Sequence, residues 1–162
     1  MPLDLIGSQL TRDYIASYLL NPCAVRVSVE ARMPVFYMQP DEANTFADYL
    51  STVFLDDSME GYDANFTAAE ARRGQELYGQ LGCAACHQLG TAGGYVGPEL
   101  STTGTRLKPG WIAAWLTTPT LYRPGTLQPD YGLSGADARA LTAYLSSLGH
   151  GGQANAPAGA AR

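Results

Sequence analysis

The chain has 162 residues, 46% of them apolar or aromatic and 15% charged, enough for one ordinary domain or two small ones and too apolar for a disordered chain. Ten basic residues, of which only Lys108 is a lysine, stand against fifteen acids, so the net charge is −5 and no basic face is available for nucleic acid. No apolar run approaches the roughly 18 residues of a membrane span, and nothing at Met1 resembles a signal peptide.

Residues 3–55 recur later in the chain. Leu3, Gly7, Leu10, Ile15, Ala16, Leu19, Pro22 and Arg26 reappear 97 residues on as Leu100, Gly104, Leu107, Ile112, Ala113, Leu116, Pro119 and Arg123. After a two-residue deletion the offset becomes 95, and Pro34, Tyr49, Leu50 and Ser51 reappear as Pro129, Tyr144, Leu145 and Ser146. Two amphipathic helices that merely look alike would not share the Gly, Pro and Arg between them, so the pattern reads as an internal repeat. Asp56 to Asn65 follows, with four acids and no base, and reads as a solvated linker. Thr67 with Glu70 is a capping-box signal, opening a helix with Ala71, Gly74, Leu77, Tyr78 and Leu81 on one face. Pro109 opens a short helix carrying Trp111, Ile112, Trp115 and Leu116, closed by Pro119. Ser134 with Asp137 starts another, with Leu141, Tyr144, Leu145 and Leu148 at helical spacing. Residues 151–162 read as a loose Gly/Ala-rich tail. No alternating strand pattern exceeds four residues, so the expected class is all-α.

Between the first of these helices and the second lies Cys83-Ala84-Ala85-Cys86-His87. Cys-x-x-Cys-His is the attachment pattern of a c-type haem, in which two thiols add to vinyl groups and the histidine reaches the iron. A zinc site would need a second ligand pair, and Cys23 and His150 do not make one. A thioredoxin-like redox pair would need a βαβ context, which is missing.

With Gly74-x-x-x-Tyr78 before that motif, Gly97-Pro98-x-Leu100 after it, Trp111-Ile112-x-x-Trp115-Leu116 and the closing Ala143-Tyr144-Leu145, residues 66–150 resemble a class I cytochrome c domain. The resemblance implies a helical fold around one covalent haem c, with Cys83 and Cys86 as thioether donors and His87 as the proximal iron ligand. It implies that the Pro98 carbonyl accepts a hydrogen bond from the imidazole, that the first and last helices cross near Gly74, and that Trp111 and Trp115 belong to the core around the haem. Residues 1–55 then read as a haem-less back half of a second such domain, 56–65 as the linker and 151–162 as the tail.

One position departs from the family. Where a methionine precedes the proline of the distal loop, this chain has Leu127-Gln128-Pro129, and no Met follows residue 59. The first repeat keeps Arg32-Met33-Pro34 but has no attachment motif. Three sixth-site readings stay open: Gln128 through its amide oxygen, Met33 reaching across, or an open site. Gln128 is expected on the distal side, with no Met of its own domain on the iron. Met38 and Met59 read as apolar fillers, Cys23 as inert, His150 as exposed. The expected role is electron transfer in a respiratory or dehydrogenase chain, not catalysis. The alternatives are a ligand-binding or catalytic haem, and a docking module of a larger di-haem cytochrome. Redox partners are expected to offer a basic or apolar patch, in the periplasm or elsewhere outside the cytoplasm. Whether the chain is a fragment of a longer di-haem protein or has lost a front half stays open. In the second case Ile15, Leu19, Phe46, Tyr49 and Leu50 must bury against something.

Overall fold

Short local signals determine where the helices of this computed structural model begin. Residues 3–25, 30 and 33–150 are described; Arg26, Arg32 and the 151–162 tail lie outside the described residues. Chain order gives α1 (Ile6–Gln9), α2 (Arg12–Leu20), α3 (Pro40–Val53), α4 (Ala68–Gln80), a 3-10 turn (Cys83–Ala85), then β1 (Gln88–Leu89) and β2 (Ala92–Gly93). After them come α5 (Thr103–Arg106), α6 (Pro109–Thr117), α7 (Pro119–Tyr122) and α8 (Gly135–Ser147). The fold is all-α, the one exception among the described residues being an antiparallel hairpin that pairs Gln88 with Gly93 and Leu89 with Ala92.

Thr67 caps α4 by accepting the Glu70 N–H, while the Glu70 carboxylate accepts the Thr67 N–H at 2.7 Å, so two orphan donors are satisfied reciprocally. Gln39 and Glu42 do the same for α3, with Pro40 in the first turn, where a missing N–H costs nothing. Ser134 caps α8 by accepting the Asp137 N–H at 3.1 Å. The hairpin and the short helices α1, α5 and α7 were not foreseen from the sequence, because elements of two to four residues carry no periodicity.

The main core lies where α4 crosses α8 and α6 packs on α8: Leu77, Tyr78, Ile112, Leu141, Tyr144, Leu145 and Leu148 are all buried there. Gly74 allows the crossing. A Cβ on it would fall inside contact range of the Ala140 carbonyl group and 2.8 Å from the Tyr144 Cβ. A smaller core of Ile15, Ala16 and Ala47 joins α2 to α3, with Leu10, Leu19 and Leu50 partly buried against it. Phe46 and Tyr49, expected to bury against the second domain or a partner if the chain has lost a front half, are 51% and 57% exposed on the outer side of α3, because no element among the described residues covers that side.

Backbone hydrogen bonds join the halves, among them one from the Glu99 N–H to the Val25 carbonyl at 3.0 Å. The Thr11 N–H donates to the Arg106 carbonyl at 2.8 Å, and the Lys108 N–H donates to the Gln9 carbonyl at 3.0 Å, closing an antiparallel bridge between Leu10 and Leu107. Residues 56–65 are exposed over most of their length but held at several points. Met59 is buried with its carbonyl against Gly110, Glu60 accepts from Ser8 at 2.8 Å, and Arg139 donates to the Asp63 and Asn65 carbonyls. Acidic composition suggests solvation; it does not reveal that backbone carbonyls in the same stretch have a cation waiting for them.

Candidate functional site

After α4 the chain reverses at Gly82, whose φ of 69° is a conformation glycine adopts without strain, and enters the 3-10 turn. Within that turn the His87 N–H donates to the Cys83 carbonyl at 3.0 Å, which places Cys83, Cys86 and His87 on one compact loop. Cys83 is half-buried and Cys86 is exposed.

Three glycines brace this loop from the other side. The Gly94 N–H donates to the Ala84 carbonyl at 2.8 Å and the Gly97 N–H to the Cys86 carbonyl at 2.7 Å. A Cβ on Gly93 would meet the His87 carbonyl, one on Gly94 the Ala85 carbonyl, and one on Gly97 the imidazole itself, 2.6 Å from Nδ1. Gly93 and Gly94 went unmarked in the sequence, and the only signal they gave was the density of glycine just after the motif.

The ring is oriented by Pro98. Its carbonyl lies 2.8 Å from His87 Nδ1, and since a carbonyl can only accept, Nδ1 carries the proton. In the neutral imidazole Nε2 then holds a lone pair, and facing it at 3.3 Å is Oε1 of Gln128. The Gln128 loop is stiffened by its own N–H, which donates to Thr126 Oγ1 at 3.2 Å. The Gln128 amide can turn to present either its oxygen or its NH2 to this lone pair, so what the contact places is the side chain, on the side of the ring where an iron would bind. Among the described residues no group of three or more His, Cys, Asp or Glu could hold a bare metal ion.

Trp111 is buried on α6, its ring 6.0 Å from Trp115 and 5.0 Å from Tyr122. Met33 is half-buried in the connection between α2 and α3, whereas Met59 is buried in the 56–65 segment, its carbonyl against Gly110 of α6. Exposed His150 lies 3.1 Å from the Gly104 carbonyl, and Cys23 is exposed beside a cavity of about 380 Å³ lined also by Tyr14 and Arg106. Neither is part of the His87 cluster.

The cytochrome c family model matches residues 71–149, a span that runs from α4 through the His87 loop to the end of α8. Residues 71–149 form a cytochrome c domain. A cytochrome c domain implies covalently bound haem c with its iron, and haem-based electron transfer with redox partners. No curated protein and no solved structure matches the chain. No helix among the described residues is long and apolar enough to cross a membrane.

The surroundings of the cytochrome c motif fit such a group. Tyr95, Val96 and Leu127, next to Gly97 and Gln128 in sequence, are exposed large apolar side chains, the kind of surface a flat macrocycle covers. Tyr78 Oη is buried without a hydrogen-bond partner among the described residues, and burial, with the Cys83 thiol close by, pushes its pKa up to about 12.

Proposed function

We propose that this domain carries its haem through Cys83 and Cys86, with His87 as proximal ligand and Gln128 on the distal side, and that it passes single electrons outside the cytoplasm. The observation that carries this reading is the orientation of His87: Nδ1 donates to Pro98 while Nε2 faces the Gln128 amide. Bound there, the haem supplies reversible one-electron exchange between ferric and ferrous iron.

The protein's own residues do the rest. Pro98 fixes the tautomer and raises the basicity of the imidazole. Gly97 leaves room for the ring beside the backbone. Gln128 offers a hard amide oxygen, which favours ferric over ferrous iron relative to a thioether and therefore lowers the reduction potential. Trp111, Trp115 and the α4–α8 core exclude water from the interior side.

Electron transfer is preferred over catalysis because, among the described residues, the side chain found at His87 Nε2 is the Gln128 amide, which is neither an acid, a base nor a cation. An acidic chain with one lysine suits a redox partner with a basic or apolar docking patch, within a respiratory or dehydrogenase chain. Compartment follows from family habit, since such domains are typically extracytoplasmic.

Residues 3–55 and 100–150 are read as two copies of one unit. In support, α1 and α2 lie 97 residues before α5 and α6, and α3 lies 95 before α8, each helix starting at the position that corresponds to its counterpart's start. Tyr37 has φ 53° where its counterpart Gly132 has φ 57°, so even a conformation disfavoured for tyrosine is shared.

The test is spectroscopic. Reduced, alkaline-pyridine spectra should report a haem with two thioethers, and haem extractable by acidified organic solvent would sink the attachment. The ferric protein should lack the red-end band of thioether ligation and gain it in Gln128→Met. A native band lost in Met33→Ala but kept in Gln128→Ala would reassign the sixth ligand to Met33.

A further inference from the structure

The outer side of α3 is built like the side of α8 that packs on α4, yet nothing among the described residues covers it. Phe46, Tyr49 and Val53 form one stripe at helical spacing and are 51%, 57% and 52% exposed. Their counterparts 95 residues on are Leu141, Tyr144 and Leu148, which are 2%, 5% and 3% exposed. The difference is α4, with the Tyr78 ring tilted against Tyr144 at 5.6 Å between centroids and Gly74 against Ala140.

Two further correspondences mark the ends of the missing contact. Asp137 receives the Arg73 guanidinium of α4 at 3.2 Å, and its counterpart Glu42 stands at the same place in the first turn of α3. Tyr131 donates its hydroxyl to the Leu81 carbonyl at the end of α4, 3.3 Å away, and its counterpart Phe36 is 55% exposed. The α3 side therefore has an acid where a cation enters, an apolar stripe where a helix crosses, and an aromatic ring where that helix ends.

We propose that this face seats a helix of the α4 kind that belongs to a haem-carrying unit other than residues 66–150. The helix has a glycine at the crossing, a leucine and an aromatic residue one turn later, a cation beside the glycine to meet Glu42, and its own Cys-x-x-Cys-His following. A flat apolar patch for any partner would not need the acid and the ring at its two ends. The second occupant to weigh is another copy of this chain. Its α4, however, is already committed to α8, and its α3 would bring Glu42 against Glu42 or apolar surface instead of a cation. The inference rests on the two-unit reading above.

A synthetic peptide with the sequence of residues 66–82, labelled at its N-terminus, is titrated into the haem-loaded full chain and followed by fluorescence anisotropy. Saturable one-to-one binding is expected. It should weaken at least tenfold in Tyr49→Ser and in Phe46→Ser, exposed positions whose loss leaves the fold intact, and again when the peptide carries Gly74→Leu. No saturable binding, or binding indifferent to all three changes, overturns the proposal. So does a dimer of the chain alone that Tyr49→Glu dissociates in sedimentation, because the face then belongs to a second copy. Failure of the two-unit reading is seen separately, by hydrogen exchange of the untreated holoprotein. If that reading holds, the Leu10 and Leu107 amides and the α3 core around Ala47 are protected with or without peptide. If it fails, residues 3–55 exchange freely.

Discussion

Replacing Gly74 with alanine tests the geometry of the helix crossing, because the same helix supplies its own control. An alanine Cβ there would lie 2.6 Å from the Ala140 carbonyl carbon and 2.8 Å from the Tyr144 Cβ, with the Ala140 oxygen nearer still. The first of these neighbours is backbone and cannot swing aside, so the strain falls at the upper end of overpacking costs, about 3 kcal/mol. Alanine in a helix interior returns about 1 kcal/mol relative to glycine, leaving a net loss of about 2 kcal/mol. For a chain of this length that lowers Tm by about 4–8 °C. Gly79 lies on the same helix with nothing within 4 Å of its would-be Cβ. Gly79→Ala should therefore raise Tm by up to about 4 °C, through propensity and a less entropic unfolded chain. Thermal melts of the haem-loaded protein by far-UV circular dichroism measure both. If Gly74→Ala were as stabilising as Gly79→Ala, α4 and α8 would not cross at this residue.

Other outcomes follow from the same packing and electrostatics. Leu141→Ala, at a site only 2% exposed, should cost about 3 kcal/mol in urea unfolding, whereas Phe46→Ala at its half-exposed counterpart should cost under about 1 kcal/mol; equal losses would mean that α3 is covered in the isolated chain. The Thr67 backbone N–H, and after it the Arg139 guanidinium, hold the Glu70 carboxyl at about 2, below its ordinary 4.5. That stabilisation is complete above about pH 4.5 and is lost as pH falls towards 2, so Glu70→Gln should flatten the acid limb of a Tm-against-pH curve across this window. Gly97→Ala should push the His87 ring off the Pro98 carbonyl and lower holoprotein Tm by several degrees, with a shifted reduction potential; an unchanged potential would show that the ring does not rest on this glycine.

What the sequence reveals is mostly local. The caps at Thr67 and Ser134, the Pro109 helix start and the Cys83–His87 spacing are each contained in a few residues, and each can be read without knowing the fold. The proximity of Gln128 to His87 was legible through the distal-loop proline of the family and through the repeat, which put Gln128 in the place of Met33. Gly93 and Gly94 were not legible, because their need for glycine comes from the Ala84–His87 backbone approaching through space. Phe46 and Tyr49 show the same limit from the other side. Periodicity identifies an apolar stripe but says nothing about whether a neighbour is there to cover it. The short helices α1 and α5 exist because they lead into the Leu10–Leu107 bridge, a long-range contact that no window of sequence contains.

That bridge has a bearing on how the two halves can change independently. Its hydrogen bonds use only main-chain groups, and the facing positions already carry unlike side chains: Gln9 corresponds to Arg106, and Thr11 to Lys108. The main-chain part of the junction is blind to side-chain identity. The side chains that add to it are few, the Thr11 hydroxyl donating to the Thr105 carbonyl at 2.7 Å and Arg106 lying over the Tyr14 ring. Substitution elsewhere along the bridge therefore leaves the mutual orientation of the halves where it was. One half can drift towards partner contact, or lose a ligand, without misaligning the other. Proline alone, at Thr11 or at Lys108, would remove a donor and let the joint slip.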